Sequence, residues 1–246
     1  MLEYNLPRYL PSAEELPDSD ETPVDNELQE LIPGLLKAIL LILWAERMDW
    51  FFGIDMGIYY HPDKPAIVPD AFLSLGVERF YDEELRPSYV LWDENVLPIF
   101  ILEVVSQNYR KEYSDKLAEY EKLGILYYVI YSSRRRRKPR LEVHKLVNGK
   151  YELQSVNPVW MPEIGLGIGC ERGNYSGLTR EWLYWYDAEG KRYLTPEEQV
   201  KYEAQRAEQE AQRAEQEAQR AEQLAQRAEQ LAQRLRELGI DPDNLG

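Results

Sequence analysis

The chain has 246 residues, 44% hydrophobic and 12% aromatic, which is enough to pack one α/β domain with extensions. Its net charge of −15 argues against nucleic-acid binding over the whole surface, although a local basic patch can still hold a phosphate backbone. One cysteine, Cys170, excludes an internal disulfide, and no leader or ~20-residue apolar span is visible, so a soluble cytoplasmic protein with no membrane segment is expected.

Residues 1–24 read as an irregular, acidic, proline-containing arm. A helix follows, capped by Asp25 or Asn26, with Leu28, Leu31, Leu35, Leu36, Ile39 and Ile42 at helical spacing. Pro33 predicts a kink or a restart within it. Phe51 to Tyr60 reads as one strand, and further strands surround Pro69-Asp70 and end near Ser106. Residues 75–97, between those two, form an irregular excursion.

Residues 111–123 predict a helix with Leu117, Tyr120 and Leu123 on one face and Gly124 as its terminator. Ile125 to Tyr131 is apolar on both faces, as a central strand is. Asn148-Gly149 between Leu141–Leu146 and Lys150–Leu153 is a strong hairpin signal, and short strands follow through residue 194, with Trp182 to Tyr186 in the core. The order predicts an α/β domain over residues 25–194, a central mixed sheet flanked by helices.

Thr195-Pro196-Glu197-Glu198 has the pattern of a capping box with proline at the first helical position. A heptad-repeat helix then runs over 195–238, ahead of a tail at 239–246. Ala204, Ala211, Ala218, Ala225 and Ala232 fill one core position, and Ala207, Ala214, Ala221, Ala228 and Leu235 fill the other. Alanine buries little apolar area, so a weak coiled coil that makes a homo-oligomer and an isolated charged helix both remain open.

The chemistry concentrates in two apolar runs that each carry one acid. These are Val68-Pro69-Asp70-Ala71-Phe72 and the run from Ile99 to Gln107 around Glu103. A buried acid is costly unless it is paired or binds metal, so Asp70 and Glu103 are candidate ligands for Mg²⁺ or Mn²⁺. The backbone carbonyl of Val104 could complete the coordination. Strand alternation puts Glu103, Val105 and Gln107 on one face, where Gln107 could orient water or a phosphate. Lys116, about one turn into the following helix, could position water or stabilise negative charge on phosphorus. Glu27 is a candidate further ligand. In the blander reading Asp70 caps a turn, Glu103 pairs with Lys116, and no metal binds. The run Arg134–Arg140 has two readings as well, a grip on DNA backbone or a solvated hairpin loop. His61 and His144 have no partner at ligand spacing and receive no role.

Pro69-Asp70, Glu103-Val104-Val105-Ser106 and Lys116-Leu117-Ala118-Glu119-Tyr120, ending in Gly124 to Ile130, together resemble the Uma-two family of the PD-(D/E)XK, restriction-endonuclease-like superfamily, over roughly residues 22–155. The resemblance implies a restriction-endonuclease-like fold and a Mg²⁺-dependent endonuclease acting on DNA, with RNA not excluded. It implies that Asp70 and Glu103 bind the metal. The superfamily's usual lysine stands two residues after the glutamate, where this chain has Val105, and Lys116 matches the alternative place on the next helix. A catalytically inactive nuclease-like binding or scaffold module, assembled through the C-terminal helix, is the competing expectation.

Overall fold

The computed structural model describes residues 10–16, 27–80, 85–105, 113–133, 135 and 139–239. The proposed capping residues Asp25 and Asn26 lie outside these, as do most of the acidic arm and Gln107. The chain divides into two units, Met1–Thr195 and Pro196–Gly246.

Helix α1 (Glu27–Leu43) buries Ile32, Leu35, Leu36, Ile39 and Leu40, the stripe expected of one apolar helical face. Pro33 lies inside the helix, which continues through it. Lacking an N–H, Pro33 cannot donate to the carbonyl of Gln29, so the helical ladder loses a bond at the turn that carries Gln29.

The expected strand over Phe51 to Tyr60 is divided into β1 (Trp50–Ile54) and β2 (Ile58–Tyr59). Asp55 breaks it with a positive φ of 45°, a conformation that aspartate tolerates better than most residues. Next come β3 (Ala71–Leu75), β4 (Tyr89–Val90), the short α2 (Leu91–Glu94) and β5 (Phe100–Val104). The excursion over 75–97 therefore holds β4 and α2, and β4 pairs in parallel with β2.

Helix α3 (Asp115–Leu123) ends at Gly124, whose φ of 89° places it in the left-handed cap conformation. The strands β6 (Tyr127–Tyr131), β7 (Leu141–Val147) and β8 (Lys150–Gln154) follow, then β9 (Val159–Met161), β10 (Leu166–Tyr175) and β11 (Leu178–Tyr186).

The main sheet has the order β1-β3-β5-β6-β7-β8 and is mixed. Strands β5 and β6 pair in parallel across the α3 connection, and the other neighbours are antiparallel. One face of this sheet packs Phe100, Leu102, Val104, Val129 and Tyr131 against α1 and the antiparallel β11-β10-β9 sheet. The other face packs Phe72, Ile101, Val105, Tyr128 and Ile130 with Tyr120 of α3. The fold is thus α/β with a central mixed sheet between packed layers, and the predicted alternation along β5 holds.

In the second unit, α4 (Pro196–Glu237) is a 42-residue helix none of whose residues is buried. Pro196 is its first residue. Glutamate and glutamine four residues apart hydrogen-bond along it, as in Glu208–Gln212 and Glu215–Gln219. Among the described residues no helix is long and apolar enough to cross a membrane.

Gly53 of β1 stands opposite Phe72 of β3, and a Cβ there would collide with the Phe72 ring. That ring also meets Tyr89 edge-on at 5.0 Å between centroids. Gly53→Ala is expected to destabilise the fold by about 1–3 kcal/mol, the usual cost of overpacking, as read by urea unfolding.

Candidate active site

The antiparallel register Ala71↔Leu102, extended by one residue, sets Asp70 opposite Glu103 on one face of the sheet. One step further it would set Pro69 opposite Val104, and Pro69 has no N–H to continue the ladder. The Val104 N–H, for its part, donates to the Asp70 side chain at Oδ2. Gln29 Nε2 of α1 donates to Asp70 Oδ1 at 3.1 Å. Glu103 faces α3, where Lys116 Nζ donates to Oε2 at 2.7 Å and the Tyr120 hydroxyl donates to Oε1 at 2.8 Å. Lys116 and Tyr120 are four residues apart on α3, so one helical face presents both.

Asp70 and Glu103 are 8% and 3% exposed, while the Lys116 side chain keeps 28% of its surface. The structure therefore brings together Asp70, Glu103 and Lys116, three of the residues expected from sequence. An ion pair between Glu103 and Lys116 is present, as the blander reading requires. Asp70 accepts from the Val104 N–H and from Gln29, which satisfies its oxygens without neutralising its charge. Burial first, and then the charge of Glu103, push the Asp70 carboxyl well above the ordinary range, against the opposing pull of the Val104 N–H and Lys116. Among the described residues the two buried acids share Lys116.

That surplus of negative charge fits a divalent cation. Among the described residues no group of three or more His, Cys, Asp and Glu side chains is placed to hold a metal. A site offering two carboxylates and nearby backbone oxygen suits Mg²⁺ or Mn²⁺, which are often held by one or two carboxylates with water and substrate phosphate completing the shell.

Val104 follows Glu103 in β5 and donates its N–H to Asp70. Gln107 lies outside the described residues. Glu27 is exposed in the first turn of α1, and it is Gln29, two residues on, that reaches Asp70. Val105 is 6% exposed within an apolar cluster and offers no cation. In the basic run, Arg135 pairs with Glu142 and lies 4.1 Å over the Tyr113 ring, while Arg140 pairs with Glu181 at 3.3 Å.

Sequence reasoning missed three neighbours of the acids. Helical spacing alone reads Tyr120 as part of an apolar face, although its distance of four residues from Lys116 is a usable signal. Gln29 is a polar residue in an apolar helical pattern. Asp55, in the break between β1 and β2, donates its backbone N–H to the Asp70 carbonyl at 3.3 Å and adds a further charge that raises the Asp70 carboxyl.

In metal-free protein the raised Asp70 carboxyl lowers stability as pH climbs from the ordinary carboxylate value of about 3.9 through the folded value. The native state holds the proton over that interval and the unfolded chain does not. In EDTA, Asp70→Asn is expected to be more stable than wild type at pH 7 by about 1 kcal/mol or more, because it removes a poorly compensated buried charge. Thermal unfolding across pH should show the gain disappearing below about pH 4.

No curated protein matches the chain. Among solved structures, the crystal structure of a putative nuclease belonging to DUF820 from Anabaena variabilis is similar at 12% identity and a TM-score of 0.40, over 57% of this chain and 74% of that one. The family described as "Uma2: Putative restriction endonuclease" matches residues 19–173, more than half of the sequence. The chain, with its paired acids inside the matched region, belongs to the Uma2 family of restriction-endonuclease-like proteins.

Proposed function

We propose that the protein is a metal-dependent endonuclease that hydrolyses phosphodiester bonds in DNA. The observation that carries this reading is the burial of Asp70 opposite Glu103, with Lys116 reaching Glu103, between apolar layers. Asp70, Glu103 and the Val104 carbonyl would hold Mg²⁺ or Mn²⁺. When bound, the cation would polarise a phosphoryl oxygen and lower the pKa of water.

The chain's own residues supply the rest. Tyr120, fully buried, fixes the Glu103 carboxylate through one oxygen, and Gln29 and the Val104 N–H fix both oxygens of Asp70. These contacts orient both acids. Lys116 is partly exposed, so its ammonium can turn from Glu103 toward a phosphate oxygen and stabilise the charge that grows there. Its place on α3 provides the cation that Val105 cannot.

The buried Val105 also favours a second reading, in which the domain binds nucleic acid without cutting it and assembles through α4. The lone Cys170 fits a reducing interior such as the cytoplasm.

Nicking of supercoiled DNA in Mg²⁺ or Mn²⁺ separates the readings. Wild type should cut, EDTA should stop it, and Glu103→Gln and Lys116→Ala should each slow it by roughly 10²-fold or more. Clean wild-type protein that cuts no DNA form with either metal would favour the non-catalytic module.

A further inference from the structure

A second polar feature lies outside the paired acids. A surface cavity of about 480 Å³ is lined by Arg140, Arg172, Leu178, Thr179, Arg180 and Glu181. Three arginines face one glutamate there, in a chain whose net charge is −15. Arg140 immediately precedes β7, while Arg172 is in β10 and Arg180 in β11, so the edges of two sheets contribute.

An internal ion-pair cluster would balance these charges, and this one does not. Arg140 already pairs with Glu181 at 3.3 Å. Arg180 is held by other means, donating to the Glu181 carbonyl at 3.0 Å and to the Tyr131 hydroxyl at 3.5 Å, with its guanidinium over the Trp182 ring. Among the described residues Arg172 makes no ion pair, although it stands opposite Glu181 in the β10–β11 register. Crowding three like charges around a cavity costs free energy that an arriving anion would recover. Guanidinium forks match phosphate oxygens, and Arg172 is exposed and able to turn toward one. The Thr179 hydroxyl accepts from Asn174 at 2.9 Å and keeps its own proton to donate.

The cavity and the paired acids meet at one end of the main sheet, where Val104 pairs with Tyr131 and Tyr131 with Leu141, the residue after Arg140. The Tyr131 side chain turns to the face opposite Glu103, and its hydroxyl donates to the Glu181 carbonyl at 3.2 Å. The geometry points to a phosphate-anchoring site at Arg140, Arg172 and Arg180 that takes a backbone phosphate of the nucleic acid whose scissile bond lies at the Asp70–Glu103 site. The substrate's identity as nucleic acid rests on the nuclease reading above. The anchor works through phosphate charge and is indifferent to base sequence.

The test measures binding of a fluorescent DNA duplex by anisotropy in EDTA, over a series of salt concentrations, for full-length wild type and Arg172→Glu. Arg213→Glu, the same charge change at an exposed position of α4, is the control. Arg172→Glu should weaken binding at least fivefold and reduce the log–log salt slope by about 0.9, one phosphate contact, with Arg213→Glu close to wild type. Equal losses in both variants, an unchanged Kd in Arg172→Glu, or no binding by wild type would overturn the anchor. So would displacement of the duplex by a polyglutamate peptide as effectively as by inorganic phosphate at matched ionic strength, since an anchor built for phosphate oxygens is competed by phosphate first. Cleavage by wild type is read separately. Arg172-dependent binding without cutting leaves the anchor standing and removes the nuclease reading, whereas cutting with unchanged binding in Arg172→Glu does the reverse.

Discussion

Asp70 and Glu103 face each other where the β3–β5 ladder opens, and the surrounding structure is arranged to hold two carboxylates in a place where they repel. Each oxygen of either side chain has a donor, from Val104, Gln29, Lys116 or Tyr120. These donors satisfy hydrogen-bonding needs, but burial first, and then the charge of Glu103, push the Asp70 carboxyl well above its ordinary range. A local cost of this kind persists when the rest of the fold outweighs it, as often happens at functional sites.

The fold outweighs it through its layering. Strands β3, β5 and β6 are buried on both faces, so the end of the ladder cannot move without disturbing two apolar clusters. Each layer also sends one polar group to the acids. α1 supplies Gln29 from the turn loosened by Pro33, and α3 supplies Lys116 and Tyr120 from one face. With Val105 committed to the apolar cluster, the lysine has to come from the helix. The Lys116–Glu103 contact of 2.7 Å shows that it reaches.

Much of this was legible in the sequence wherever the signal was local. The apolar stripe of α1, the doubly apolar run of β6, the Asn148-Gly149 hairpin and the acids at 70 and 103 all follow from spacing and residue type within a few positions. Gln29 was not legible, because its contact with Asp70 spans 41 residues and depends on which helix covers which strand end. Tyr120 was half legible. Periodicity placed it on the buried face, but an apolar face and a hydroxyl aimed at Glu103 look the same in a one-dimensional pattern. The single strand expected over 51–60 failed for a local reason, the left-handed turn at Asp55, which aspartate permits without requiring. The arginine cavity gathers residues from 140 to 181 and was foreshadowed only by the basic run around Arg140.

The central claim is that the two acids exist to share a cation. X-ray diffraction from crystals grown with Mn²⁺, recorded for anomalous scattering, tests it most directly. A peak within coordination distance of carboxylate oxygens from both Asp70 and Glu103 is the result expected. A fully occupied Lys116–Glu103 ion pair with no peak beside Asp70, in crystals that show Mn²⁺ elsewhere, would contradict it.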